Sequence, residues 1–399
     1  MKPMKCFVLI LFCWVTLYLE AYPKPRADRD PDLIRCLDIL LHERFDQAHL
    51  LIDSMIKRYP DDPAPLFVKG MIYWRRSYNM ESSKSMDKAC QKYWNQTISV
   101  SEKLIKTNDR DGYAHFFKGG AYGYLGTLFI RQDSYVKAGL NAIKGINNLE
   151  SSYRMDSSYW DYYYGNGLYH VAAANSSSIV KFLQKLLPMP SGNENLGVDH
   201  LRLAADKGNF TPVLAKAILA FTYTYYRVNY DSAFYYVRPL MVQYPESSDF
   251  MVLMLNLYFH QAMTTGQTDW ASALKCLDDL AMQMSRREEK LEVWYRDKYA
   301  FFKGYCLFKL GRYAESESQL RHYLSQHKKN PYEGAAWLTI GAIEDIRLHR
   351  DKAKTAYRKA DKCKNIGNLH QLCERFLTSA YQAGHDFYRG LEYKLPEKP

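Results

Sequence analysis

Trp337-Leu-Thr-Ile-Gly-Ala-Ile-Glu-Asp-Ile-Arg-Leu-His-Arg-Asp-Lys-Ala-Lys-Thr-Ala-Tyr-Arg-Lys-Ala360 is the stretch whose reading decides the fold. At helical spacing it forms two short amphipathic helices joined by a tight polar turn. Trp337 and Gly341 fall one turn apart on the first helix, and Ala353, Tyr357 and Ala360 recur at i, i+4 and i+7 on the second. Gly341 and Ala353 stand twelve residues apart, and both are small, so the two backbones can approach closely where the helices cross.

The unit recurs along the chain. Phe45-Asp-Gln-Ala48 opens a second helix whose stripe runs through Ile52 and Met55 and stops at Pro60. Cys36 lies twelve residues before Ala48, and Pro60 lies twelve after it. Phe67-Val-Lys-Gly70 returns as Phe116-Phe-Lys-Gly119 and Phe301-Phe-Lys-Gly304, and more loosely as Tyr162-Tyr-Tyr-Gly165. Gly304 pairs with Ser316 at the same spacing, Tyr230-Asp-Ser-Ala233 is followed by Pro245, and Asp269-Trp-Ala-Ser-Ala273 starts another second helix. Self-similarity of this kind in a helical context signals a repeat array. Seven or eight helix pairs are expected, with helices of about 12–15 residues and short turns. Arg76–Gln96 reads as an insertion that lengthens one inter-helix turn. Gly119, Gly123 and Gly126 share one helix face, where each glycine costs about 1 kcal/mol relative to alanine and so needs a close helix crossing to justify it.

Residues 138–210 are the least regular part. Ala138, Ala142 and Gly145 form a second-helix stripe, and Tyr159 opens a first helix that continues to Ala174. Leu186–Gly197, with two prolines and two glycines, reads as an ordered loop, and Leu201–Gly208 as a helix end capped by glycine. Leu369–Arg389 can close the array as one helix or a pair.

The large-small-Ala-aromatic-Ala pattern of the opening stretch resembles the tetratricopeptide repeat, a helix-turn-helix of roughly 34 residues. Phe117-Lys-Gly-Gly-Ala-Tyr-Gly123, Tyr163-Tyr-Gly-Asn-Gly-Leu-Tyr169, the Leu-Pro loop and Gly197-Val-Asp-His-Leu-Arg-Leu-Ala-Ala205 follow one another in an order that resembles an uncharacterised group of exported bacterial tetratricopeptide repeat proteins. The same order is distantly similar to the tetratricopeptide repeat protein 39 family. Lys69, Lys118 and Lys303 depart from the leucine usual at that position of the repeat. The resemblance implies an all-α, right-handed α-solenoid over residues 32–392 and an adaptor role without an active site.

Net charge is +11, from 54 basic and 43 acidic residues scattered along helices rather than gathered in a block. A solvated helical surface accounts for the charge, and it leaves room for peripheral attraction to an anionic membrane. A hydrophobic fraction of 47% excludes general disorder. Tyrosine is the outlier at 34 residues, suiting helices buried on one side and wet on the other. Met1–Lys5 is a basic segment, and Cys6–Leu19 is apolar apart from Thr16, the length of a signal-peptide core. Export with loss of residues 1–21 is expected, an uncleaved membrane anchor being the alternative; residues 22–31 read as a disordered leader and 393–399 as a flexible tail. Of the six remaining cysteines, Cys276 with Cys306 and Cys363 with Cys373 are the pairs that neighbouring helices can bring together, although free core thiols are the expected state.

No chemistry-bearing motif emerges. The eleven histidines form no metal pattern, and the closest cluster, Cys363, His370 and Cys373, shows no fourth ligand. Nucleophile elbow, zinc helix and phosphate loop are all missing, and no cofactor is implied. Three classes remain: a protein-binding scaffold, an enzyme on a helical repeat, and a binder of polyanions or membrane surfaces. The first is favoured, with a protein or peptide of the cell envelope as partner and no nucleic acid. In such an array the first helices line a concave groove. Counting from the small residue of each first helix places Phe67, Met71, Trp74, Phe116, Tyr162, Asn166, Tyr169, Thr222, Tyr225, Phe301, Tyr305 and Phe308 in that groove. The same rings have a second reading, as filling for the interior of the superhelix.

Overall fold

The computed structural model describes residues 31–78, 84–156, 159–176, 181, 191–287, 290, 293–326, 332–364 and 367–384. The signal segment, most of the leader, the 393–399 tail and the 186–190 part of the Leu-Pro loop lie outside the described residues. Pro31, expected to end the leader, instead opens the first helix at a position where its missing N–H costs nothing.

Seventeen helices are seen among the described residues, with no strand. They are α1 (Pro31–Leu41), α2 (Phe45–Arg58), α3 (Pro63–Tyr78), α4 (Lys84–Thr107), α5 (Gly112–Arg131), α6 (Tyr135–Met155), α7 (Tyr162–Ala174), α8 (Glu194–Lys207), α9 (Pro212–Tyr225), α10 (Tyr230–Gln243), α11 (Ser248–Thr265), α12 (Trp270–Arg287), α13 (Val293–Lys309), α14 (Tyr313–Gln326), α15 (Glu333–Ile346), α16 (Arg350–Asp361) and α17 (Leu369–Thr378). They form eight antiparallel pairs, closed by α17. Lengths run from 10 to 24 residues, wider than expected. Most of the 76–96 insertion is helical: α3 continues to Tyr78 and α4 begins at Lys84, so Asp87 and Lys88 lie on a 24-residue helix and not in a turn. Residues 79–83 lie outside the described residues.

The curvature follows from which helices touch. First helices pack on first helices: α1 on α3, α3 on α5, α5 on α7, α7 on α9, α9 on α11, α13 on α15, and α15 on α17. Second helices make no comparable contact with one another among the described residues. A stack that is tight on one side and splayed on the other bends, with first helices inside. Burial shows the same layering. On α15 the buried set runs through Ala335, Ala336, Leu338, Thr339, Ile340, Gly341, Ala342 and Ile343, whereas α16 buries only the stripe Ala353, Ala356, Tyr357 and Ala360.

Glycines mark the tightest crossings. A Cβ on Gly119 would meet the Gly145 carbonyl at 3.0 Å, and one on Gly145 would meet the Gly119 carbonyl and Gly123 N at 3.2 Å, so the stripe lets α5 and α6 cross backbone to backbone. Gly341 also sits against its partner helix, but the group facing it is the Tyr357 ring, 2.4 Å from where a Cβ would stand, and not Ala353. The spacing of twelve survives as hydrogen bonds: Ser316 Oγ donates to the Gly304 carbonyl at 2.7 Å, and Cys36 Sγ to the Ala48 carbonyl at 3.6 Å.

Turns within pairs share one geometry. Glu43, Asp133, Val228, Gly266, Gly311 and Leu348 each adopt the left-handed region, between φ 48° and 75°. At Glu43 the next residue's N–H reaches the Ile39 carbonyl and its own reaches Leu40, a Schellman close that recurs at Asp133, Gly311 and Leu348. Only two of the six positions are glycine. In the irregular middle α7 starts at Tyr162, three residues later than expected. Gly208 caps α8, although its φ of −63° and ψ of 157° are extended, not left-handed.

The chain also meets itself some 200 positions on. The α1–α2 turn docks on the α10–α11 turn: Leu41 packs on Leu240, Tyr244 and Phe250, and the His42 ring stands edge-on to Tyr244 at 4.9 Å.

Candidate functional site

The first-helix layer is the surface that sequence reasoning assigned to a partner, and its residues divide sharply in the structure. Phe67 on α3, Tyr169 on α7 and Tyr225 on α9 are partly buried. Met71, Trp74, Phe116, Tyr162, Asn166, Thr222, Phe301, Tyr305 and Phe308 are buried and present no surface to a partner in this conformation. The cause is the packing of first helices on one another, which turns positions expected to face a groove toward the neighbouring helix. Trp74 lies between Trp94 and Tyr124, with the Arg131 guanidinium 4.4 Å from its ring centroid. Phe301 stacks on Tyr332 at 5.3 Å and on Tyr305, and Phe308 packs on Tyr313 and Tyr381. Phe116 meets Phe117 and Tyr159 edge-on, and the Thr222 hydroxyl donates to the Ile218 carbonyl.

Two polar clusters gather around members of that set. In the first, Asn166 donates through Nδ2 to the Tyr162 hydroxyl at 2.8 Å, while its Oδ1 lies 2.6 Å from His200 Nδ1 on α8. His200 packs edge-on to Tyr163 and faces His170 at 6.2 Å. Burial lowers both imidazole pKa values, with His170 adding to the effect on His200, and burial followed by Glu150 pushes Tyr162 up to about 12. The sequence placed Tyr162 and Asn166 on one face, but His200 comes from α8, the other helix of the pair, 34 positions on from Asn166 with no local signal.

The second cluster joins α9, α10, α11 and α13. His260 stands edge-on to Tyr225 at 5.0 Å and its Nδ1 lies 3.0 Å from the Tyr230 hydroxyl. Asn256 Oδ1 accepts from the Tyr299 hydroxyl at 3.2 Å and from Lys298 Nζ. Lys298 has no exposed surface, and its Nζ lies 5.2, 5.3 and 5.0 Å from the ring centroids of Phe259, Tyr295 and Tyr299. Burial pulls its amine well below the ordinary lysine value. Burial, followed by Lys298, takes His260 from 6.5 to about 4. The cluster is therefore an uncharged imidazole and a depressed amine walled by aromatic rings, set into the inner layer.

A pH dependence follows. Between about 4 and 6.5 the unfolded chain binds a proton at His260 that the folded chain does not. The stability this neutral imidazole contributes is fully present above the unfolded value and falls as pH drops toward 4, by about 3 kcal/mol at most. His260→Gln is expected to flatten the fall over that window, as measured by denaturant unfolding at a series of pH values.

On the outer side, α14, α15 and α16 frame an open depression of about 300 Å³. Trp337 and Ile340 form its floor, and Arg321, Lys352 and Lys359 its basic rim, with Glu344 and Asp351 alongside. Lys359 Nζ lies 4.1 Å over the Trp337 ring. Among the described residues no group of three His, Cys, Asp or Glu side chains is placed to hold a metal ion. All six cysteines described carry free thiols, including both pairs considered for bridges. No described helix is long and apolar enough to cross a membrane.

No family model matches the chain, and no curated protein matches it. Solved structures do resemble it, at low identity. Yeast Tom70 is 12% identical, covering 88% of this chain and 82% of its own, with a TM-score of 0.34. A tetratricopeptide repeat protein from Parabacteroides merdae is 10% identical over 88% of this chain and 98% of its own, with a TM-score of 0.27. The human IFIT1 dimer with PPP-AAAA is 11% identical over 89% of this chain and 88% of its own, with a TM-score of 0.37.

Proposed function

We propose that this chain is an exported, non-catalytic scaffold that holds a protein or peptide segment along the face of its stacked first helices. The observation that supports it is the inner layer of first helices, which leaves Phe67, Tyr169 and Tyr225 only partly buried on α3, α7 and α9 above a wall of buried rings. Solenoids bind through such extended curved faces, and half-buried aromatic side chains are the usual anchors of an interface. The nine buried residues of the same set support the wall, and truncating them reports on folding rather than on binding.

Phe67→Ala, Tyr169→Ala and Tyr225→Ala are each expected to weaken capture of the native partner by about 2 kcal/mol, with an unchanged circular-dichroism spectrum. Trp74→Ala and Tyr305→Ala serve as folding controls and should lower the melting temperature. Full retention of partner binding in all three surface variants rejects the inner face, and the depression over Trp337 then becomes the surface to probe. Export rests on the Met1–Leu19 segment. N-terminal sequencing of protein recovered from its host should begin near Tyr22, and recovery of Met1 on a membrane-bound form contradicts cleavage.

A further inference from the structure

Glu43 is one of six buried carboxylates among the described residues, and its partners lie about 200 positions further along the chain. Ser247 Oγ donates to Oε1 at 3.0 Å, the Asp249 backbone N–H donates to the same oxygen at 3.0 Å, and Ser248 Oγ donates to Oε2 at 2.6 Å. The Arg287 guanidinium forms an ion pair with Oε2 and donates through Nη2 to the Glu246 carbonyl at 2.9 Å. Arg75 stands beside this group, paired with Asp249 at 2.8 Å and lying 5.7 Å from the Phe250 ring centroid. Its side chain is 9% exposed, and its Nε has no hydrogen-bond partner. Burial would raise the Glu43 carboxyl, but Arg75, the Ser248 hydroxyl, the Asp249 N–H and Arg287 outweigh it and hold it below the usual carboxylate range.

Two hydroxyls, one backbone N–H and the Arg287 guanidinium converge on a single carboxylate, the Arg75 charge acts on it from its pairing with Asp249, and a buried Arg75 nitrogen is still unspent. Structural carboxylates such as Asp161 gather as many donors; what sets this site apart is the unspent one, because a buried donor left without an acceptor is costly. We propose that the Ser247–Ser248–Asp249 turn, Arg75 and Arg287 form a receptor for an acidic peptide segment, and that Glu43 is its internal occupant. Glu43 sits on a turn, so release of the α1–α2 turn exposes the receptor without unfolding any helix. Arg75 then gains the acceptor it lacks from the second carboxylate of the incoming segment. An acidic partner and the docked α1–α2 turn compete for one set of donors.

Fluorescently labelled hexaglutamate is a suitable probe, read by anisotropy against the full-length protein. Glu43→Gly removes the occupant and supplies the residue that a left-handed turn position prefers; Glu43→Gln keeps the side-chain volume. Both variants should bind the peptide at least about tenfold more tightly than wild type. Adding Arg75→Gln to either should abolish the gain, and acetate should compete where chloride at equal ionic strength does not. No gain in either variant overturns the proposal. A gain that persists with Arg75→Gln, or that chloride removes as well as acetate, shows general attraction to a basic surface and overturns it too. Because the native-partner test uses Phe67, Tyr169 and Tyr225, either result can fail while the other stands.

Discussion

Gly341→Leu is expected to unfold the C-terminal helix pairs and leave the N-terminal ones intact. A Cβ at this position stands 2.4 Å from Tyr357 Cε1 and 2.9 Å from Cζ, well inside van der Waals contact, before any further leucine atom is placed. The ring has nowhere to go. Tyr357 is fully buried, its hydroxyl donates to Asp345 Oδ2 at 2.8 Å, and its face packs on Phe376 at 5.6 Å. Asp345 also receives the Arg350 guanidinium and the Tyr381 backbone N–H, so displacing Tyr357 disturbs the junction of α15, α16 and the segment after α17. Overpacking typically costs about 1–3 kcal/mol, and a clash with a ring held at both ends belongs at or above the upper end. Nearest-neighbour coupling in a solenoid confines the loss. Hydrogen exchange should show protection lost across α15–α17 and kept in α1–α6, and uniform loss along the chain would refute the local account.

Asp161→Ala is expected to cost about 3 kcal/mol or more. The carboxylate is 2% exposed and reaches across the irregular middle to the segment that enters α9. Its Oδ1 accepts from the backbone N–H groups of Phe210 and Thr211 at 2.9 Å each and from the Thr211 hydroxyl at 2.7 Å, and its Oδ2 accepts from Asn209 N at 3.0 Å. Alanine leaves four donors at the entry to a helix without their acceptor. Asp161→Asn keeps an acceptor in the Oδ1 position but loses the charge and the Oδ2 acceptor that faces Asn209 N, so it should recover part of the stability. Chemical denaturation of both variants separates the readings. Equal loss in the two would mean that the Oδ1 acceptor alone does not hold the segment.

Helices and their pairing were legible from local spacing, because the first-helix glycines and second-helix alanines repeat at a fixed interval. The partner of each small residue was not. Spacing identified Gly341 as a point of close approach, but the ring that fills the space depends on how α16 is rotated, and that is set by packing on α17. The turn of the opening stretch was legible as a short polar break, but the left-handed residue that closes it and the other turns was not. Glu43, Asp133, Val228 and Leu348 take the same left-handed conformation because the pair geometry imposes it, at a cost of roughly 1–2 kcal/mol each that tertiary packing offsets. The twelve residues chosen for the groove all lie on first helices, and the stacking of those helices buries nine of them, a degree of burial that spacing along one helix does not encode. Lys298, in the run Arg296-Asp-Lys-Tyr299, looks like a solvated charge until α11 is placed beside it. Glu43 and Arg287 are 244 positions apart, a pairing that no local pattern encodes.

The six free thiols give the array a built-in set of position markers. Cys36, Cys90, Cys276, Cys306 and Cys373 are buried in five different units of the stack, and burial raises every one of these thiols, Cys36, Cys90, Cys276 and Cys373 to about 12. A protonated, enclosed thiol does not react with an alkylating reagent, so modification at any of the five registers opening of that unit and no other. Cys363, only partly covered, supplies the reference for an accessible site. The chain thus carries its own footprinting scale, one on which fraying from either end, detachment of the α1–α2 turn and cooperative collapse leave different labelling patterns.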